Sequence, residues 1–408
     1  MQDRVPLYPG RVTLTPVAGQ ANTYDMTRAD QPTQEGTPLN KATLLKDVTA
    51  SILGLPNTAT PDDAFLALTI GVGIYGYRVK IQLADGTPVE GATVSGIEAL
   101  TGSTLVSGAD GIVLGKSTSK TVTIGCTSPY IDQAAPASQS VTATGTITDV
   151  TLTLTNNTDI VAVASSITAK ISPMAKTVDI CAVGGGGGGA GSADSDYQKS
   201  QGSGGGGGGN IVNVLAESLM SYTKKCISII VGSGGQGGAY SSTRPSGNEC
   251  DGSTGGTTSV VLGEQIEIAT ATGGGGGQLV LSSSTPGLGG ASVNGGSGGN
   301  GGYGSTYETY RGSDGNSSNA YIFNDNSLGR AGGGGGAGGG YVSTTSTRPA
   351  AGLPNGGLGG AYLASEHSMY HPENGKTFGG GGGGGYKGSA PRTNLGGAGG
   401  VYLRFHFS

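Results

Sequence analysis

Cys181-Ala182-Val183-Gly184-Gly185-Gly186-Gly187-Gly188-Gly189-Ala190 decides how this chain is read, because a strand-forming run passes without punctuation into six consecutive glycines. Similar tracts occupy Gly204 to Gly209, Gly273 to Gly277, Gly332 to Gly336, Gly338 to Gly340 and Gly379 to Gly385. A residue without a side chain buries no apolar area and loses more backbone entropy on ordering than any other. Such tracts either stay disordered or are held from outside. The ordered alternative is a polyproline-II-like helix with three residues per turn and about 3.1 Å rise per residue, whose bare backbones approach closely and bond to one another. Six residues then span roughly 19 Å.

Abundant Gly and Ser with little apolar content is also the composition of a disordered linker. Against that reading, strand-like runs stand between the tracts: Thr177 to Val183, Cys226 to Val231, Thr257 to Leu262, Gln265 to Ala271, Gln278 to Leu281 and Val401 to Phe407. Linkers do not keep alternating Val and Ile. Of the 84 glycines, 16 fall in residues 1 to 183 and the other 68 in residues 184 to 408, so the two halves are different materials. With 5 Phe, 17 Tyr and no Trp, the glycine-rich half has little bulk for an ordinary core, and its order has to rest on backbone hydrogen bonds.

Charged residues make up 12% of the chain and the net charge is −5, which leaves no basic footprint for phosphates and argues against a nucleic-acid partner. The longest apolar run, 64 to 75, is well short of the ~20 residues that a bilayer requires, and the N-terminus lacks a secretory pattern. Membrane insertion is not expected. Cys126, Cys181, Cys226 and Cys250 are widely and irregularly spaced, unlike a zinc framework or a disulfide scaffold, and Cys181 and Cys226 read as small apolar strand residues.

The pattern divides the chain at 1–76, 77–158 and 159–408. Thr37-Pro38 gives an N-cap and a first-turn proline, with Leu39, Ala42, Leu45, Val48 and Ile52 at helical spacing, which predicts a helix over 38–53. Thr60-Pro61 repeats the punctuation, with Asp62 and Asp63 in the first turn and an end near Gly71. Such a pair is marginal alone and is expected to pack on other copies or on another protein. From residue 77 the period changes to two: Tyr77 to Leu83, Ala92 to Ile97, Ile112 to Leu114, Thr121 to Cys126, Ser140 to Thr142 and Asp149 to Thr155, with hairpin corners at Asp85-Gly86 and Asp110-Gly111. The expected fold class is mainly β: a small helical N-terminal attachment region, a β-sandwich spacer and a β-framed bundle of polyglycine-II helices.

Several apparent motifs carry no chemistry. The glycine tracts match GxGxxG in many registers, but no helix-forming segment follows any of them. Gly111 to Ser117 imitates a phosphate loop with three residues between the glycines where four are needed, so a strand is expected there. His367 and His371 have a helical metal-ligand spacing, yet they sit in a polar island, Ser365 to Pro372, that reads as exposed loop; no metal or other cofactor is expected. No histidine stands by a nucleophile elbow. Asp194 with Asp196, or Asp314 with Asp325, could supply the paired acids of glycan cleavage, which need a separation of roughly 5 to 10 Å that sequence does not give.

Tyrosine set among Gly, Ser, Asn and Thr is more informative. Tyr197, Tyr240, Tyr303, Tyr307, Tyr310, Tyr321, Tyr341, Tyr362, Tyr370 and Tyr386 share this setting. The combination suits binding, since tyrosine offers a flat apolar face and a polar tip at low entropic cost while Ser, Asn and Gly adapt their hydrogen bonds. The competing reading is that the rings cap the glycine helices against water. Binding is favoured for Tyr303, Tyr307, Tyr310, Arg311, Asn316, Tyr321 and Phe323, in the longest stretch without a glycine tract, and Tyr341, Tyr362, Tyr370 and Tyr386 join them as receptor-contact candidates.

Three stretches resemble known material. Leu83 to Val94 with Ser107 to Gly111 resembles the carboxypeptidase-regulatory-like and bacterial Ig-like spacer modules over about 80 residues. Val5-Pro6-Leu7-Tyr8-Pro9-Gly10-Arg11-Val12 with Asp30-Gln31-Pro32-Thr33-Gln34-Glu35-Gly36-Thr37-Pro38-Leu39-Asn40-Lys41 resembles the N-terminal leader of tail-fibre proteins from phages and prophages of Gram-positive bacteria. From residue 160, the succession of strand and glycine tract is similar to glycine-rich phage tail proteins, to phage adhesins with polyglycine-II tips, and more distantly to the glycine-rich ectodomain of anaplastic lymphoma kinase. The resemblance implies a non-enzymatic virion component that joins a tail or baseplate, forms a homotrimer and contacts a glycan or protein on the host surface. A structural tail component that recognises nothing, and a surface-glycan depolymerase, are the competing functions.

Overall fold

A computed structural model describes residues 5–6, 11–29, 32–34, 45, 47–56, 58–71, 73–100, 102–144, 147–192, 203–241, 248–263, 266–280, 287–302, 312–342, 349–359, 361–363, 368–385 and 394–408. The chain divides into two compact units, residues 1–127 with 136–153, and residues 128–135 with 154–408.

In the first unit, β1 (Val5–Pro6) pairs with β4 (Pro32–Gln34), and β2 (Val12–Pro16) with β3 (Tyr24–Arg28). Helix α1 spans Asp47–Ile52, inside the expected 38–53, of which residues 38–44 and 46 lie outside the described residues. Helix α2 spans Pro61–Gly71, as its punctuation predicts. Its start is a reciprocal cap: the Thr60 amide donates to Asp63 Oδ2 (2.6 Å) and the Asp63 amide to Thr60 Oγ1 (3.2 Å). The Thr60 amide and then its hydroxyl hold the Asp63 carboxyl below its ordinary range.

The sandwich follows as β5 (Tyr75–Gln82), β6 (Thr93–Ser95), β7 (Glu98–Ala99), β8 (Ile112–Ser117) and β9 (Thr121–Thr127), with β11 (Gln139–Thr142) and β12 (Thr148–Thr153) after the short strand β10 (Gln133–Ala134). One sheet has the order β12-β5-β8-β7 and the other β11-β9-β6. The alternation read in the sequence is the burial pattern: Tyr77, Val79 and Ile81 are buried while Arg78 and Lys80 are exposed. Both hairpin corners form, with Asp85 Oδ1 accepting from the Thr87 amide and Asp110 Oδ1 from the Ile112 amide. The apparent phosphate loop is strand β8.

In the second unit, β10 pairs with β13 (Thr155–Asn156). Its main framework uses β14 (Val161–Val163), β15 (Ile167–Lys170), β16 (Thr177–Val183), β17 (Ile211–Ser218), β18 (Cys226–Ile230), β19 (Thr258–Leu262) and β20 (Ile266–Ala271). Three short strands, β21 (Gly340–Val342), β22 (Ala361–Leu363) and β23 (Ser368–Tyr370), make a separate sheet, and β24 (Gly400–His406) completes the framework. Two four-stranded sheets, β14-β24-β16-β17 and β15-β18-β19-β20, enclose Val178, Ile180, Ile227, Ile229, Val260, Leu262, Leu403 and Phe405. The expected strand at Gln278 to Leu281 is absent from its described residues, 278 to 280. Gln278 instead continues the preceding glycine tract, donating its amide to the Leu288 carbonyl as Gly275 does to Ala291. Strand β17 escaped the sequence reading because Asn213 and Glu217 interrupt its apolar alternation.

The glycine tracts are ordered. Along 184–192 successive amides turn to three different neighbours. Gly184, Gly187 and Ala190 donate to Asn210, Gly207 and Gly204; Gly185, Gly188 and Gly191 donate to Gly256, Ser253 and Cys250; Gly186 and Gly189 donate to Gly397 and Asn394. Three more neighbours donate in return: Gly235 and Gly238 to Gly186 and Gly189, Gly274 and Gly277 to Gly185 and Gly188, Gly382 and Gly385 to Gly187 and Ala190. A repeat of three residues with three donating and three accepting faces is polyglycine-II packing, with six neighbours around one helix. The three helices it donates to run antiparallel and enter β17, β19 and β24, whereas two of those it accepts from leave β18 and β20 in its own direction. Close approach excludes side chains: a Cβ on Gly187 would run into the Gly275 carbonyl, and one on Gly188 into that of Gln236.

Candidate functional site

The routing of the lattice determines where the candidate residues go. Helix 184–192 leaves β16 and 203–210 returns to β17. Far from those strands, one bonded layer links several helices: Gly385 donates to Ala190, Ser203 to Gly385, Gly339 to Ser203 and Gly302 to Gly339. The Ser203 hydroxyl lies within hydrogen-bond distance of both the Ala190 and Gly385 carbonyls. Beside this layer Asn394, buried, spends its side-chain amide on the Gly189 and Ala190 carbonyls (2.8 and 2.9 Å), so a side chain substitutes for the backbone donor that glycine cannot extend.

Three of the expected receptor residues stand just past that layer. Tyr341 on β21 and Tyr362 on β22 are register partners, and Tyr370 on β23, half-buried, pairs with Ala361. Tyr303, Tyr307, Tyr310, Arg311 and Tyr386 lie outside the described residues, as do Tyr197 and His367. In sequence, Tyr303 follows Gly302 and Tyr386 follows Gly385, two members of the layer.

Of the cluster expected around residues 303–323, the described members are Asn316, Tyr321 and Phe323. Helix 312–319 runs back toward the strands, with Ser313, Asn316 and Asn319 donating to Asn300, Ser297 and Asn294. Asn316 is exposed on its flank, and Tyr321 is half-buried at the strand end. At ~3.1 Å per residue, Gly312 and Asn319 are about 22 Å apart. Phe323 is not a receptor contact. It is 3% exposed and packs with Cys181, Val183, Ile211 and Ala331, because the junction between strands and bare helices leaves a gap that only an apolar ring fills. Asn213 on β17, unremarked in the sequence, holds this turn: its Oδ1 accepts from the Phe323 amide (3.1 Å) and its Nδ2 donates to the Tyr321 carbonyl (3.0 Å) and Asn324 Oδ1 (2.9 Å).

A charged cluster was equally hidden in the sequence. Asp179, buried on β16, accepts from Arg404 and from the His406 ring on β24, and from the Ala216 amide at the bulge of β17. Burial pushes its carboxyl up, but the Ala216 amide, His406 and Arg404 together draw it below the ordinary value. The Arg404 guanidinium lies 4.7 Å from the centre of the Phe323 ring. Burial raises the Cys181 thiol to about 12, and burial with the nearby Cys181 raises the Tyr402 hydroxyl to about 12. All four cysteines are free thiols, with Cys181 and Cys250 buried.

Of the acid pairs considered for glycan cleavage, Asp194 and Asp196 lie outside the described residues. Asp314 accepts from the Ala350 amide (2.8 Å), and Asp325 caps a short turn through the Ser327 hydroxyl and amide, which hold it below the ordinary range. What the geometry offers is presentation: a rigid backbone lattice that brings several chain ends into one bonded layer.

Comparison with curated proteins returns no match. A family model described as a glycine-rich domain matches residues 161–406, from the first residue of β14 to the last of β24. The match covers the whole strand framework and every glycine tract within it, and the chain therefore belongs to the glycine-rich domain family.

Proposed function

We propose that this chain is a phage tail-fibre tip adhesin that binds a glycan or protein on the host surface through the loop end of its glycine lattice. The observation that carries this reading is the bonded layer of Ala190, Ser203, Gly302, Gly339 and Gly385, from which separate stretches of chain depart. Variable loops on a fixed platform are the arrangement in which recognition changes without refolding. The stretches next to the layer carry Tyr303, Tyr307, Tyr310, Tyr341, Tyr362 and Tyr386, the composition of adaptable binding surfaces. Residues 1–76 join the tail or baseplate, the sandwich is a spacer, and three copies per fibre convert weak single contacts into durable attachment. No covalent chemistry is performed, and the protein resides in the virion.

The test is competition. Purified protein, added to cells that the parent phage infects, is expected to block adsorption. Replacing Tyr307, Tyr310 and Tyr362 with Ala should weaken that block at least tenfold without shifting the thermal transition. Native protein that neither binds cells nor competes would overturn the reading in favour of a purely structural tail component. Unchanged competition by the triple variant would return these tyrosines to a capping role.

A further inference from the structure

A buried polar cluster in the second unit takes no part in the lattice. It lies at the end of the strand framework away from the glycine tracts, where Lys170 of β15 pairs with Cys226, the first residue of β18. The segment that leads into β10 is held there. The Ile131 amide donates to the Lys170 carbonyl (3.0 Å), and Asp132 accepts on Oδ1 from the Ser172 amide (2.8 Å) and on Oδ2 from the Ser172 hydroxyl (2.5 Å). Asp132 and Ser172 are fully buried, and Gln133, the register partner of Asn156, is 4% exposed.

Charge is unbalanced in this cluster. Asp132 carries its carboxylate out of reach of water, and among the described residues it forms no ion pair. Lys225 is near enough to feel it, but donates its ammonium to the Pro173 and Ala175 carbonyls (3.0 and 2.9 Å). Burial and then Lys176 lower that ammonium from its ordinary value, against the pull of Asp132. Buried charges in proteins are paired or bound to metal. Hydrogen is unbalanced too. Gln133 Nε2 stands 3.2 Å from Asp132 Oδ2, 3.1 Å from Asn156 Oδ1 and 3.2 Å from Ser172 Oγ, more acceptors than its two hydrogens serve, while its own Oε1 is buried without a partner.

We propose that Asp132, Gln133 and Asn156 bind a hard metal cation, sodium or calcium, with Ser172 holding Asp132 in place. Turning the Gln133 amide over exchanges Nε2 for Oε1 and puts a fourth side-chain oxygen beside three; the amide hydrogens then take the place where Oε1 now lies without a partner. Oxygens gathered in this way repel one another unless a cation sits among them, and an all-oxygen set with one carboxylate suits an ion that accepts irregular shells. The set holds no nitrogen or sulfur ligand of the kind zinc takes. Asn156 is half-buried and gives the ion its way in. Bound, the ion neutralises Asp132 and gives Oε1 a partner. Ligands at 132, 133 and 156 follow no motif spacing, which is why the sequence alone points to no metal.

The thermal transition of the full chain, freed of metal with a chelator and kept in choline chloride, tests this on addition of NaCl, CaCl2 or MgCl2 at matched ionic strength. At saturation NaCl or CaCl2 should raise the midpoint by about 2 °C or more. Which of the two acts identifies the charge of the ion. Magnesium should act several times less, because it gives up water reluctantly and demands an octahedral shell. Asp132→Asn keeps the shape of the carboxyl without its charge and should lose the response. Should that variant fail to fold, Gln133→Glu decides. A second carboxylate lowers the half-saturating cation concentration at least about fivefold if Oε1 is a ligand, and only destabilises the fold if Gln133 serves Asp132 as a donor. No response of the native protein to either ion, an equal response to magnesium, a full response in Asp132→Asn, or no tightening in Gln133→Glu would each overturn the proposal.

Discussion

Arg404 donates both Nε and Nη2 to a single oxygen of Asp179, at 2.9 and 2.7 Å, joining the strand that runs into the first glycine helix to the strand that returns from the last. Asp179 is 6% exposed and Arg404 31%, so the pair is only partly screened. Losing one member of a fully buried pair costs about 3–5 kcal/mol; partial exposure of Arg404 places Asp179→Asn nearer about 2 kcal/mol. The sign with pH follows from the lowered carboxyl. Its stabilisation is present above the ordinary carboxylate value of 3.8 and is lost as pH falls through the lower folded value. Acid unfolding curves should therefore show a drop in native stability below about pH 4 that is smaller in Asp179→Asn. An identical acid profile for the two proteins would show that Asp179 is not ionised in the folded state.

Within the tracts, glycine is required where carbonyls crowd it. Gly187→Ala drives a Cβ into the Gly275 carbonyl, a backbone atom in a bonded helix, and should cost at least about 3 kcal/mol in denaturant unfolding. At Gly385 the nearest atom to an added Cβ is 3.3 Å away, so Gly385→Ala should cost about 1 kcal/mol or less. Equal tolerance at the two positions would contradict the close packing of the tracts.

Amide exchange reads the lattice directly. Amides of 184–191 and 204–210 are bonded to neighbouring helices and should be protected to a degree similar to those of β16, on the order of a thousandfold or more over free chain. Mass spectrometry of exchanged peptides would measure it. Exchange of these tracts within seconds would mean they are tether and not framework.

Five of the framework strands, β16, β18, β19, β20 and β24, were legible because they follow ordinary rules, whereas β14, β15 and β17 were not. Thr177 to Val183 has the same limits in sequence and structure, and Thr60-Pro61 marks the start of α2 as its cap geometry requires. The six-neighbour lattice was legible only as a class. Equal glycines carry no information about which helix neighbours which, and the pairing of Gly187 with Gly207 and Gly382 is set by strand order in the two sheets. Phe323 was misread for a definable reason: its flanks are polar, and the cavity it fills is made by Cys181, Val183 and Ile211, more than a hundred positions earlier. The clamp of Asn213 and the Asp179 cluster had no local signature, since each is completed by residues far away in the chain.

The three-residue repeat also governs how such a sequence can change length. Inserting or deleting one residue inside 184–189 would rotate every later amide by about a third of a turn and hand each bond to the wrong neighbour. Three at a time restores the phase. Indels in the tracts of related genes should thus come in whole codon triplets, nine nucleotides or multiples of it, while the segments joining the tracts are free of that arithmetic and can drift in length.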